Sequence, residues 1–267
     1  MRSAALIATL LLAHSVWAQE PLTQHVISVA SDLFTTDDLG NVYVLKGDVL
    51  ELYDQHGNRG LANSTKTFGR IASIDAFYSL KPMVFSREQG VLALLDNTLS
   101  LQGSIIELPR QGYPQVTVVC MSVQNSFWFF DERELALIRT DRQLRPLANT
   151  GRLDQLLGLT PKPTAMQEHD SRLYVNDPQN GILVFDLFGT YMKTIPIKNA
   201  ESFEVRGRAL FFFAGGRLQL YDMRSFEVLD VPLPFVPEGT VLDARVERGH
   251  IYLRLQDRII IQELAKP

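Results

Sequence analysis

The chain has 267 residues, 46% hydrophobic and 21% charged, an ordinary globular composition that excludes a disordered, collagen-like or disulfide-stapled protein. Twenty-six Lys and Arg stand against 30 Asp and Glu, a net charge of −4, so no overall basic field gathers nucleic acid or anionic lipid.

The chain opens on MRSAALIATLLLAHSVWAQE, with a basic start at Arg2, an apolar run over 4–13, and Ala18 preceded two positions earlier by Val16. This is the pattern of a secretory signal removed after residue 18. The run is too short to span a bilayer, which takes about 20 residues, and no later stretch is long enough either. No cysteine stands at the processing point to carry a lipid. The expected product is an exported soluble protein, periplasmic or associated with the outer membrane. Cys120 is the only cysteine, so no intrachain disulfide forms. It lies in the apolar run 116–121 and reads as a small buried hydrophobe rather than a nucleophile.

From residue 32 onward one unit recurs six times, at 32–58, 82–103, 118–141, 163–189, 202–222 and 242–264. Each copy has a short apolar strand, a polar hairpin, a strongly apolar second strand, a turn, and a third alternating strand. The second strands are placed at Tyr43, Leu92, Trp128, Tyr174, Phe212 and Tyr252, a mean spacing of about 42 residues, the period of a four-stranded propeller blade. Val, Ile, Phe and Tyr dominate these runs and turn residues interrupt them, which excludes a helical solenoid of similar period. Fourth strands are expected at 61–67, 105–108, 144–148, 191–197 and 227–233. Copy six has none of its own, and 22–29 is expected to fill that place and close the ring. The predicted fold is all-β: a six-bladed β-propeller of four antiparallel strands per blade, one domain over 19–267, after a signal peptide at 1–18.

The runs D-x-x-G-N-V-Y-V (37–44) and G-I-L-V-F-D-x-F-G-T-Y (181–191) resemble NHL-type six-bladed propellers over the whole mature chain. LDNTLS (95–100), WFFDE (128–132) and LYVNDPQNGILVFDLFGTY (173–191) resemble a group of exported, largely uncharacterised bacterial propeller proteins. The resemblance implies fold and compartment and supplies no catalytic residue.

Hairpins between first and second strands are expected on one face with the D-x-x-G turns, and the connections between blades on the other. The long connections, at 68–81, 109–115, 149–163 and 233–241, are the expected binding face, because function concentrates on loops held by a rigid frame. They carry Phe68, Arg70, Phe77, Tyr78, Arg110, Tyr113, Arg152, Lys162 and Phe235; the aromatic and arginine side chains are types favoured at protein interfaces. Against this, the aromatics can fold back between blades and the arginines can be merely solvated. Leu153, Leu156 and Leu157 suggest a helical turn on the same face, capping the core.

Signals for chemistry are weak. Asp96, Asp131 and Asp177 are placed at the ends of second strands, where a calcium-assisted, lactonase-like hydrolase would need ligands. An Asp there also closes its own turn, and Lys46, Ala214 and Gln256 break any symmetric ring of carboxylates. The triplet Glu168, His169, Asp170 reads as a solvated hairpin turn. No paired-His zinc spacing, nucleophile elbow or phosphate-cradling loop occurs, and no motif calls for a cofactor. The leading expectation is a non-enzymatic module presenting its long-loop face to an envelope protein. The alternatives are the calcium-assisted hydrolase and a glycan or peptide binder using Trp128 or Tyr113 as a stacking platform.

Overall fold

Short apolar strands punctuated by turns leave sheet-on-sheet packing as the way to bury both strand faces, and the chain adopts it six times around one axis. The computed structural model describes residues 23–122 and 125–264; the expected signal peptide lies outside them. After β1 (Gln24–Ile27), the first blade comprises β2 (Leu33–Thr36), β3 (Val42–Lys46), β4 (Val49–Tyr53) and β5 (Arg59–Ser64). The second has β6 (Ser73–Asp75), β7 (Met83–Ser86), β8 (Val91–Leu94) and β9 (Ile106–Glu107), and the third β10 (Val116–Ser122), β11 (Ser126–Asp131), β12 (Ala136–Thr140) and β13 (Pro146–Asn149). The fourth holds β14 (Ala165–His169), β15 (Arg172–Asp177), β16 (Gly181–Asp186) and β17 (Tyr191–Ile195), and the fifth β18 (Ser202–Arg206), β19 (Ala209–Ala214), β20 (Arg217–Asp222) and β21 (Val228–Asp230). The sixth consists of β22 (Asp243–Glu247), β23 (His250–Arg254) and β24 (Ile259–Glu263), completed by β1.

Within each blade the strands are antiparallel and hydrogen-bonded in chain order, except that β1 pairs with β24 as the outermost strand of the last blade. Ile27 faces Ile259 and Val26 faces Ile260 across that pair, so the expected closure by the start of the chain is realised. Closure covers the edge β24 would otherwise present for uncontrolled strand addition. Gly40 sits at the seam with φ +84°; a Cβ there would stand 3.0 Å from the Tyr252 hydroxyl, which donates to the Gly40 carbonyl at 3.0 Å.

The alternation of the second strands explains the core. Tyr43 and Leu45 face the second blade, while Val42 and Val44 face the sixth. Phe127 and Phe129 face the second blade, and Trp128 and Phe130 the fourth. Each strand therefore contributes to two cores, and its sequence is apolar throughout rather than half polar. There are six such cores among the described residues, one per blade interface, and Cys120 lies in the one between blades three and four, where burial pushes its thiol pKa up.

In the five blades where one turn joins the third strand to the fourth, Asp54, Asp96, Asp141, Asp186 and Asp222 each accept backbone N–H groups of their own turn. The short helix α1 (Leu153–Leu157) forms where the leucine spacing indicates, with Leu153 fully buried.

The second blade departs from the expected register. The copy placed at 82–103 begins on a second strand, so Leu92 belongs to the third strand β8, and Val84 takes the place of Tyr43 and its equivalents. The innermost strand is β6, inside the stretch read as an interblade connection. Three residues, Ser-Ile-Asp, are too few to show period-two alternation, and 76–82 is long for a hairpin.

Candidate functional site

The innermost strands β2, β6, β10, β14, β18 and β22 surround an axial channel of about 470 Å³. Its wall is chemically two-sided. Blades two to four supply Ile74, Val118, Val119, Met121, Ala165 and Phe77, with Asp75 and Glu168 as channel-lining acids. Blades five and six supply Glu204, Arg206, Asp243, Arg245 and Arg254.

Neighbouring blades are tied together here by side chains bonded to the next blade's open backbone edge. Asp75 accepts the Met121 N–H at 2.7 Å, Gln167 accepts the Val205 N–H at 2.7 Å, and Glu204 accepts the Val246 N–H. Arg245 Nη1 donates back to the Phe203 carbonyl at 3.3 Å. Such bonds satisfy inner-strand amides that have no strand partner on the axis side. Burial pushes the carboxyls of Asp75 and Glu204 up, and the Arg206 and Arg245 guanidiniums pull both part of the way back. Burial likewise raises Glu247, whose carboxylate meets Arg206 Nη2 at 2.6 Å.

At the hairpin face the channel is crossed. Phe77, in the hairpin after β6, lies under the Arg206 guanidinium at 4.8 Å and 6.4 Å from the His169 ring, and Tyr78 stacks edge-on against it at 5.0 Å. Blades two and five stand on opposite sides of a six-membered ring, so this hairpin reaches over the axis and floors the channel. The open mouth is on the interblade-loop face, ringed by Asp32, Arg87, Glu201 and Arg254.

The residues singled out from sequence are not gathered into one site. Phe77 and Tyr78 stand on the hairpin face, opposite to the long loops, because of the register of the second blade. Phe68 is 5% exposed in the core between blades one and two. Tyr113 is wedged between blades two and three, its ring against Phe129 and its hydroxyl donating to the Leu144 carbonyl at 3.0 Å. Arg70, Arg110 and Arg152 are on the expected face and pair with Glu88, Glu107 and Asp154. Phe235 is there as well, 41% exposed.

The three aspartates do not converge. Asp96 follows a third strand and so turns toward the hairpin face, while Asp131 and Asp177 end second strands at the other face. Asp131 accepts the Arg133 and Glu134 amides, and Asp177 those of Gln179, Asn180 and Lys162, so the turn-closing reading accounts for both. No group of three or more His, Cys, Asp and Glu among the described residues is placed to hold a metal ion. Trp128 is fully buried and donates Nε1–H to Glu168 at 2.7 Å, which removes it as a stacking platform. Glu168 is itself buried, accepting that bond and one from Ser122, rather than solvated in a turn.

Sequence reasoning missed the channel residues. Glu204, Arg206 and Arg245 look like the polar face of ordinary alternating strands; the available signal was that the first strand of every copy lines the axis.

Ring, blade count and closure define the class: a six-bladed β-propeller, with no helix among the described residues long and apolar enough to cross a membrane. No protein-family model matches the chain and no curated protein matches it in sequence. Its fold is similar to the WD40 domain of Pan2 from Neurospora crassa (8% identity, 90% of each chain, TM-score 0.62) and to a streptogramin B lyase (12% identity, 91% of this chain and 98% of that one, TM-score 0.63). It is also similar to BBS1N, solved in complex with ARL6DN (12% identity, 87% of this chain and 77% of that one, TM-score 0.52). At these identities the likeness is one of fold.

Proposed function

We propose that this propeller is a non-enzymatic, exported interaction module of NHL-like type that docks a protein of the bacterial cell envelope on its interblade-loop face. The observation that carries the reading is the connection 231–242. Val231, Leu233 and Val241 of this segment pack into the core between blades five and six, whereas Phe235 and Val236 are held out, 41% and 86% exposed. The backbone of Phe235 is anchored: the side chain of Gln262, fully buried on β24, accepts from the Phe235 N–H at 3.4 Å and donates to its carbonyl at 2.7 Å. Pro234 and Pro237 stiffen the same stretch. Exposed aromatic and aliphatic side chains on a backbone held in advance cost less ordering entropy on binding, which favours an interface anchor. Recognition of a protein by a ring of this fold has a counterpart in BBS1N with ARL6DN. The export step rests on the signal pattern at 1–18.

The test is photo-crosslinking from position 236 in intact cells, beside fractionation with and without residues 1–18. A single envelope protein captured from position 236 and lost when Phe235→Asp is added supports the reading. A chain that elutes alone and captures nothing, or that stays in the cytoplasm with 1–18 intact, overturns it.

A further inference from the structure

We propose that the axial channel is a binding site for a small organic carboxylate with an apolar body, entering from the interblade-loop face. This does not rest on the docking of a protein partner; it follows from the hydrogen-bond balance of the channel wall.

The channel carboxylates already hold donors on both sides of the wall, Glu168 accepting from Ser122 Oγ and Trp128 Nε1–H among them. Asp243 accepts from Ser202 Oγ at 2.5 Å and from the Ala244 N–H at 2.8 Å, Glu204 from Val246, and Asp75 from Met121 and Phe77. The guanidiniums are not satisfied in the same way. Arg206 leaves Nε and Nη1 without an acceptor, Arg245 leaves Nε, and Arg254 leaves Nε. Among the described residues Arg245 meets carboxylate only at 4.0 Å, from Asp243, and Arg254 bonds only to the Ser31 carbonyl, at 3.2 Å. These four guanidinium nitrogens are donors without a protein acceptor, in a wall that also carries the carboxylates of Asp32, Glu168 and Glu201, and an arriving acceptor oxygen would satisfy them.

Geometry makes the surplus a ladder. Arg254 pairs across from Asp243 near the mouth, Arg245 lies two residues further along β22, and Arg206 is at the floor on β18. Strand rise spaces such steps by roughly 6–7 Å. Arg206 and Arg245 keep 20% and 21% of their side-chain surface open. Opposite them stand Ile74, Val118, Val119 and Ala165, and Phe77 closes the bottom. A planar fork matches a carboxylate in two hydrogen bonds, while the facing wall desolvates a hydrocarbon body. The volume of about 470 Å³ admits octanoate with room to spare.

The experiment is isothermal titration of the purified mature protein with sodium octanoate, with octylamine and 1-octanol as matched probes. Saturable binding of octanoate, at least tenfold tighter than either comparator and weakened at least tenfold by Arg245→Gln or Arg254→Gln, is the expected result. The comparison among probes needs no variant, so it stands even where a substitution unfolds the ring. No saturation by octanoate up to about 10 mM, a free energy near −3 kcal/mol, overturns the proposal. Equal binding of octylamine or octanol, or octanoate binding unchanged in both variants, overturns it too.

Discussion

The Arg206 guanidinium lies 4.8 Å from the centre of the Phe77 ring, and these residues come from blades on opposite sides of the axis. The contact braces the ring across its centre rather than around its circumference, with the Phe77–His169 ring contact at 6.4 Å beside it. A desolvated cation over an aromatic face contributes about 1–2 kcal/mol.

Phe77→Ala is expected to remove this brace and part of an apolar contact. Phe77 is half-buried, so the loss is about 2 kcal/mol rather than the 3–5 of a fully buried phenylalanine. Urea unfolding reads it. A double-mutant cycle with Arg206→Met should give a coupling of about 1 kcal/mol, and additive effects would refute the contact as a stabilising one.

Ring closure makes a different demand. Ile27 is 2% exposed in the core between the last and first blades. Ile27→Ala should cost about 2–4 kcal/mol. Deleting β1 altogether should expose the β24 edge and drive self-association, seen as earlier elution in size-exclusion chromatography. A monomeric, fully stable deletion would show that the first strand is dispensable.

The channel carboxyls fix a pH dependence. Asp75, Glu204 and Glu247 are all raised by burial above their usual values of 3.8 and 4.5. A raised carboxyl binds its proton more tightly folded than unfolded, so its contribution is greatest at acid pH and declines as pH climbs from the unfolded value through the folded one. These three groups should therefore make the urea midpoint fall from about pH 4.5 toward neutrality. Glu204→Gln keeps an acceptor for Val246 and should flatten that decline. An unchanged slope would show that Glu204 titrates normally. The exposed turn aspartates act oppositely: hydrogen bonds within their turns lower Asp96 and Asp222, and their contribution disappears as pH drops below the usual 3.8.

Much of this was written in the chain. Phe127 to Phe130 had to sit between two sheets, because four consecutive apolar residues cannot present a polar face in a strand. The spacing of Tyr43, Trp128, Tyr174, Phe212 and Tyr252 carried the blade period, and the three strands of the sixth copy called for a fourth, which 24–27 supplies. Local pattern determines these features, since alternation, turn chemistry and period are properties of neighbours in sequence. What only the tertiary structure decided is what meets across the axis. Ser73–Asp75 is too short to declare itself a strand, so Tyr78 changed face with it. Arg206, Arg245 and Arg254 are far apart or unremarkable along the chain, and they become one wall because six inner strands converge there. Closing a ring brings together residues that no local spacing relates.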